Sequence, residues 1–294
     1  MQREDQLNGD IEKITPLLVE LQSDLAGRLN LDNLAERYGY SRYHFHRWFT
    51  KIVGETPRRY VERLRMEKAA YKLWITDQSV LDIALSVGFK NHETFSRACR
   101  RHFATSPREL RDTGRFRKRK VIANHRWNPT GCVLSPVRFE LLRPMTLLAI
   151  RHVGGYGKIP EPLSPNDKLW TRILAWAEEH RVRCQPIALC LYHDNPWLTP
   201  ESAQHADACL PVIGPVKGTR SIRSIQFEGG EFATIDHTGP LSTRWQAFRK
   251  VADTVHASPV YAFPGEPNGA ISIKPLTREG LSHTQVCLRV LKKK

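Results

Sequence analysis

A pattern that occurs twice between residues 31 and 107 limits what this chain can fold into. Leu34-Ala35, Gly39 and Phe45-x-Arg47 in the first copy return as Ile83-Ala84, Gly88 and Phe95-x-Arg97. The copies close at Thr56-Pro57 and Ser106-Pro107, and the second carries one extra residue in its turn. Each reads as a short apolar helix, a Gly-aromatic turn and a longer basic helix, the order of a helix-turn-helix. Two such units in one chain predict two recognition helices placed on one face of a DNA duplex.

Spacing and capping residues sharpen the elements. Ile11, Ile14, Leu17, Leu18, Leu21, Leu25 and Leu29 recur at helical intervals, so a helix over 10–29 is expected to cover the first unit. Thr15-Pro16 is either its N-cap and first position or an early turn. Ser41 can cap the first recognition helix, on which Phe45, Trp48, Phe49 and Ile52 face inward. Arg42, Tyr43, His46, Arg47 and Thr50 then face outward. Thr56-Pro57 opens a helix to about Trp74, a rod of about 25 Å at 1.5 Å per residue. It joins two readers that must sit about 34 Å apart to enter successive major grooves. Ser79 to Asp82 resembles a capping box. Asn91 can cap the second recognition helix, on which Phe95, Cys99 and Phe103 point in. His92, Glu93, Thr94, Ser96, Arg97 and Arg100 are left outside. Ser106-Pro107 with Glu109 is a further cap. Tyr43 is either a packing residue or a base contact. Glu93 either accepts from a cytosine amine or tunes the local charge. His44 and His46, two residues apart, point to different helix faces and read as surface, not as a metal pair.

Composition agrees with a polyanionic partner. Lys plus Arg number 45 against 30 Asp plus Glu, and the pI is about 9.8. A membrane partner is weaker, because no run of about 18 apolar residues occurs. The opening residues lack the apolar run of a signal peptide. The six Cys are scattered without a Cys-x-x-Cys, which argues for reduced thiols in a cytoplasm and against structural zinc.

The residues over 10–115 closely resemble the AraC/XylS family of bacterial transcription regulators, on the paired units with Gly39-Tyr40-Ser41, Val87-Gly88-Phe89 and Ser106 to Leu110. The resemblance implies an all-helical DNA-binding domain over 1–115. It places base contacts at Tyr43, His46 and Arg47, and at His92, Glu93, Thr94, Ser96 and Arg97. Phosphate contacts would fall at Arg42, Thr50 and Arg100. Relatives rich in Gln at the second helix differ from the His92-Glu93 found here. An activator of this kind would have double-stranded DNA and RNA polymerase as partners.

A basic linker is expected over 116–136, and the basic run from Thr113 to Lys120 that leads into it can touch phosphates without specificity. From 137 to 294 the texture is mixed. Strands are expected at 137–142, 146–153, 186–192, 207–213, 221–227, 231–237, 270–275 and 285–291, with helices at 169–179 and 243–255. Strand, helix, strand, strand occurs twice. Arg151-His152-Val153-Gly154 and Asp236-His237-Thr238-Gly239 stand before the two helices. The fold class is therefore multidomain: an all-α double helix-turn-helix domain, then a duplicated α+β unit with a groove between its halves. That order, with Asp207 to Val212, is similar to the GyrI-like effector-binding domain. The combination resembles the Rob-like regulators within AraC/XylS. The likeness implies a small effector in the central groove, often amphipathic or cationic in such domains, or else a bound partner. Where many relatives carry an acid in the last strand, this chain has Gln285.

Aromatics are the expected groove lining: Tyr156, Tyr192, Trp197, Trp245 and Tyr261, with Trp170, Phe263 and others as further candidates. Trp176 and Phe248 read as core. No catalytic residue, metal site or cofactor is expected, and the chain reads as a regulator and not an enzyme. The alternative makes the second domain a small-molecule hydrolase, with Asp207, Glu140 and His237 as its possible acid–base groups. A structural nucleoid protein, binding duplex with little sequence preference, is a third reading.

Overall fold

The computed structural model describes residues 13–14, 16–22, 25–27, 30–113, 131–164, 167–195, 198–219, 221–264, 270–276 and 283–293. The chain divides into two compact units, Met1–Gly114 and Arg115–Lys294. Thr15, Trp197 and the basic run over 115–120 lie outside the described residues.

The first unit is helical: α1 (Leu31–Arg37), α2 (Arg42–Val53), α3 (Pro57–Ile75), α4 (Val80–Ser86) and α5 (His92–Phe103). The starts of α2 to α5 carry the caps expected for them, and Asn30, which was not anticipated, caps α1. Ser41 accepts from the His44 amide, Thr56 from Arg59, Ser79 from Asp82 and Asn91 from Thr94. Each satisfies one amide that the helix leaves without a partner. Ser106 and Glu109 cap each other reciprocally at 3.2 and 2.8 Å, opening a last helix over 107–113. The hydrogen bond donated by the Ser106 backbone N–H, then the Ser106 and Thr105 hydroxyls, hold the Glu109 carboxyl down at about 2.

Ile14, Leu17, Leu18 and Leu21 close over Leu34, Phe45, Phe49, Tyr60 and Leu64, the first unit's core. The expected helix over 10–29 is too long, since 25–27 form a bend. Its carbonyls are captured instead by the connecting helix. Arg65 donates to Leu25 O at 2.7 Å, to Gly27 O at 2.7 Å and to Gly88 O at 3.2 Å. One guanidinium thus ties the entry of the first helix-turn-helix to the turn of the second, both within the helical unit. α3 has 19 residues and is about 28 Å long. It buries Arg63 between Glu55 at 2.7 Å and Glu67 at 3.0 Å.

Gly39 and Gly88 end α1 and α4 with φ of +74° and +90°. Their surroundings differ. A Cβ on Gly39 would meet nothing, whereas one on Gly88 would lie 2.9 Å from Leu25 O and from the Arg65 guanidinium carbon. Gly39→Ala should therefore cost only the backbone term, about 1–2 kcal/mol. Gly88→Ala should cost more, because the Arg65 clamp must also open. Urea unfolding of the two variants checks the ranking, and equal losses would contradict it.

The second unit is an antiparallel sheet with two helices, α6 (Trp170–Glu179) and α7 (Trp245–Ala257). The strands are β1 (Val133–Leu134), β2 (Arg138–Leu142), β3 (Met145–Val153), β4 (Ile187–Tyr192), β5 (His205–Val212), β6 (Arg223–Phe227), β7 (Gly230–Thr238), β9 (Ala270–Pro275) and β10 (His283–Arg289). β8 (Tyr261–Ala262) and β11 (Leu291–Lys292) form a separate ribbon that the sequence did not suggest. The main order is β1-β7-β10-β9-β4-β5-β3-β6, with β2 also on β7. The expected duplication is visible in this order. β3-α6-β4-β5 and β7-α7-β9-β10 are the two halves, and they meet where β4 pairs with β9. Each half lends its leading strand to the other: β2 pairs with β7, and β6 with β3.

One apolar cluster packs α6 on β3, β4 and β5, and another packs α7 on β7 and β10. Phe248 touches both, and Trp176 packs at the edge of the first, as core residues should. A third cluster, with Leu147, Leu189, Phe232, Ile271 and Cys287, contains no helical residue and is shielded by the strands themselves.

Candidate nucleic-acid interface and ligand cleft

α2 and α5 bury one face and expose the other. Phe45 and Phe49 on α2, and Phe95, Ala98 and Cys99 on α5, are buried. Arg42, Tyr43, His46 and Arg47 are exposed, as are His92, Glu93, Arg97 and Arg100; Thr50, Thr94 and Ser96 are half-buried. Tyr43 is 67% exposed, so of its two readings packing is the one that fails.

The exposed groups are partly preorganised. The Arg47 guanidinium carbon lies 5.6 Å from the Tyr43 ring centroid, a cation–π distance. Arg42 pairs loosely with Asp32 at 3.5 Å. The Thr50 hydroxyl donates to His46 O at 2.7 Å, and the Thr94 hydroxyl to Asn91 O at 3.1 Å. Ser96 and the His92 ring lie 3.4 Å apart. Both hydroxyls keep acceptor capacity for a donor, while Arg47 and Arg97 present forks suited to guanine or phosphate.

In the second unit a shallow cleft, open to solvent, runs along the β4–β9 seam. Ala188 faces Lys274 across that seam and Cys190 faces Ser272. Trp170 of α6, and Leu241 and Arg244 at the start of α7, form its sides, and Glu161 stands beside Lys274. The groove between halves is thus present, but its wall differs from expectation. Tyr156, Tyr192, Trp245 and Tyr261 do not line it. Tyr192 is buried, bonds Ser272 at 3.0 Å and packs on Tyr156 and Phe248. The Tyr156 hydroxyl donates to the Asp194 and His205 carbonyls, which burial makes worthwhile. Tyr261 stacks on Phe139 at 4.2 Å, and Trp245 is 54% exposed. Tyr156, Tyr192 and Tyr261 pack against the apolar clusters between helices and sheet, where apolar area counts most, while Trp245 stays at the surface. Of the aromatics considered, Trp170 alone among the described residues lines it. Arg244 and Lys274 were not anticipated. Arg244 directly follows Thr243, the expected start of that helix, which was the available clue.

The three acid–base candidates are engaged separately. Asp207 is 1% exposed and accepts from Arg151 at 2.6 and 3.1 Å, His193 at 2.8 Å and Arg223 at 2.5 Å. Burial pushes its carboxyl up, but Arg151 and then His193 outweigh that and hold it well below the usual carboxylate range. Glu140 pairs with Arg138, and His237 with Thr243 at 2.8 Å. No group of His, Cys, Asp and Glu that could hold a metal occurs among the described residues. Among them, too, no helix is long and apolar enough to cross a membrane.

Residues 34–113 match the model of a helix-turn-helix domain, and 135–259 that of a GyrI-like small molecule binding domain. The HTH-type transcriptional activator AarP of Providencia stuartii is 37% identical over 103 residues, which is 34% of this chain and 76% of that protein. The chain belongs to the AraC/XylS family of transcription regulators. The Right origin-binding protein of Escherichia coli (strain K12), another relative, is 38% identical over 94 residues. The match spans 32% of the length of each of those two chains, so about a third of that relative is covered. A solved structure, a transcriptional regulator with an AraC-type DNA-binding domain from Chromobacterium violaceum, is 31% identical. It covers 36% of this chain and 96% of its own, with a TM-score of 0.34. As an AraC/XylS member with a GyrI-like domain, the chain combines a DNA-binding unit with a small-molecule-binding one.

Proposed function

We propose that this family member is a sequence-specific activator whose two recognition helices read adjacent major grooves, and whose second unit binds a small amphipathic effector. The observation that carries the reading is the pair of matching exposed faces on α2 and α5, joined by a 19-residue helix. Tyr43, His46 and Arg47 would contact bases at one end of the site. His92, Glu93, Thr94, Ser96 and Arg97 would do so at the other, with Glu93 accepting from a cytosine amine. Arg42, Thr50 and Arg100 would hold phosphates. RNA polymerase is the expected protein partner.

Selection from random duplexes tests this. The expected result is one enriched site near 20 base pairs, carrying two separated blocks of information. Its affinity should fall steeply between 50 and 200 mM salt, as release of counterions from several phosphates requires. Retention of duplexes without enrichment would refute sequence-specific reading and favour a nucleoid role.

A further inference from the structure

We propose that Arg65 is a positioning residue for DNA reading: through three backbone carbonyls it fixes the offset between the two recognition helices, and with it the spacing between half-sites that the chain accepts. The proposal rests on the two-groove reading above and names the residue that sets the offset.

Three segments meet at this side chain. Arg65 leaves the middle of α3 and donates through Nε to Leu25 O, through Nη2 to Gly27 O and through Nη1 to Gly88 O. Residues 25–27 lead toward α1, whose Leu34 shares a core with Phe45 of α2. Gly88 ends α4 and turns the chain toward α5. The guanidinium therefore spans the approach to one recognition helix and the turn that aims the other. Its planar fork orders its acceptors together, which the compact ammonium of a lysine does less well. Gly88 permits the close approach, since a Cβ there would stand 2.9 Å from the guanidinium carbon and 3.0 Å from Ala26 O. At the matching turn a Cβ on Gly39 would meet nothing within 4 Å, so the repeat itself does not demand the clamp. The junction between the repeats does.

Other contacts fasten one motif at a time to the connecting helix. Lys72 donates to the Ser86 hydroxyl at 3.1 Å, and Arg101 at the far end of α5 pairs with Glu62. Both hold the second helix-turn-helix. Arg63 pairs with Glu55 at 2.7 Å and holds the exit of the first. The Arg65 bonds reach both motifs from one atom group. A junction held this way orders the two recognition helices before DNA arrives, so one spacing is favoured over its neighbours.

Fluorescence anisotropy of the full chain tests this on the selected duplex and on duplexes with one base pair added or removed between the two blocks. One base pair shifts the second block by about 3.4 Å and turns it by about 34°. The parent is expected to bind the altered duplexes about 30-fold more weakly. Arg65→Met keeps the stem and removes the fork. It should lose about five-fold on the original duplex, while its penalty for altered spacing falls to about five-fold. Arg65→Lys should lie between Arg65→Met and the parent. Val61→Ala, in the core of the first motif on the same helix, lowers stability without touching the junction and should keep the parent's spacing penalty. Circular dichroism establishes that each variant is compared in its folded form. Should Arg65→Met not fold, Arg65→Lys carries the comparison. An undiminished spacing penalty in the folded Arg65 variants would overturn the proposal and leave two-groove reading standing, as would a parent indifferent to spacing. Absence of a two-block site would overturn it together with that reading.

Discussion

Replacing Arg47 and Arg97 together by Ala is expected to remove about 2–6 kcal/mol of specific DNA affinity, the sum of about 1–3 kcal/mol for each. The two belong to different recognition helices, α2 and α5, so their losses should add. Each single variant should relax base preference at one end of the site only. The reason lies in the forked guanidinium: a bidentate contact to guanine is lost outright when the fork is removed, and no neighbour can replace it. Arg47 is held over Tyr43, so Tyr43→Ala should weaken the same end by a smaller amount. Fluorescence anisotropy on the selected duplex, with each half-site scrambled in turn, measures the coupling. Two neutral single variants would show that the outward faces have been assigned wrongly.

Asp207→Ala should destabilise the second unit by about 3–5 kcal/mol, the usual cost of removing one member of a buried ionic cluster. Arg151, 8% exposed, and Arg223 would both lose the carboxylate they share. Replacing Arg151, Asp207 and Arg223 together by apolar residues of similar size should restore most of the loss. The same cluster fixes an acid sensitivity. The folded carboxyl titrates well below its unfolded value of about 3.9, so its contribution is complete above that value. As pH falls below about 4 toward the folded value, the contribution disappears. Chemical denaturation between pH 3 and 7 should therefore show a drop that Asp207→Asn lacks. A variant as stable as the parent at pH 7 would mean that the cluster is not the anchor its geometry describes.

The two units were not equally legible. In the first, most elements announced themselves through local chemistry: a capping residue at the starts of α2 to α5, Gly39 and Gly88 at the two helix-turn-helix turns, and one apolar stripe per helix. The outward residues followed from the same periodicity. What stayed hidden was Arg65, because its three carbonyl partners lie 23 to 40 residues away and no local pattern marks them. In the second unit the main strands and both helices could be read from alternation and period, as could their twofold repetition. Strand pairing could not, since alternation says which face is buried and not which neighbour lies alongside. That gap explains the misplaced cleft lining. Tyr156, Tyr192 and Tyr261 were chosen for ring chemistry, whereas burial between sheet and helices decided where the rings went.

The strand lent by each half to the other has a consequence for how the second unit acquires its shape. Neither repeat holds all the edges it needs, so nothing short of the stretch from β2 to β10 satisfies both borders. Assembly must await contacts between residues as far apart as Arg138 and Thr234, which makes it a late and cooperative event. Severed from its twin, a lone repeat would carry an unfilled border and a homeless strand. Its simplest remedy would be to trade that strand with another copy of itself, rebuilding as a pair of molecules what the gene now encodes in one.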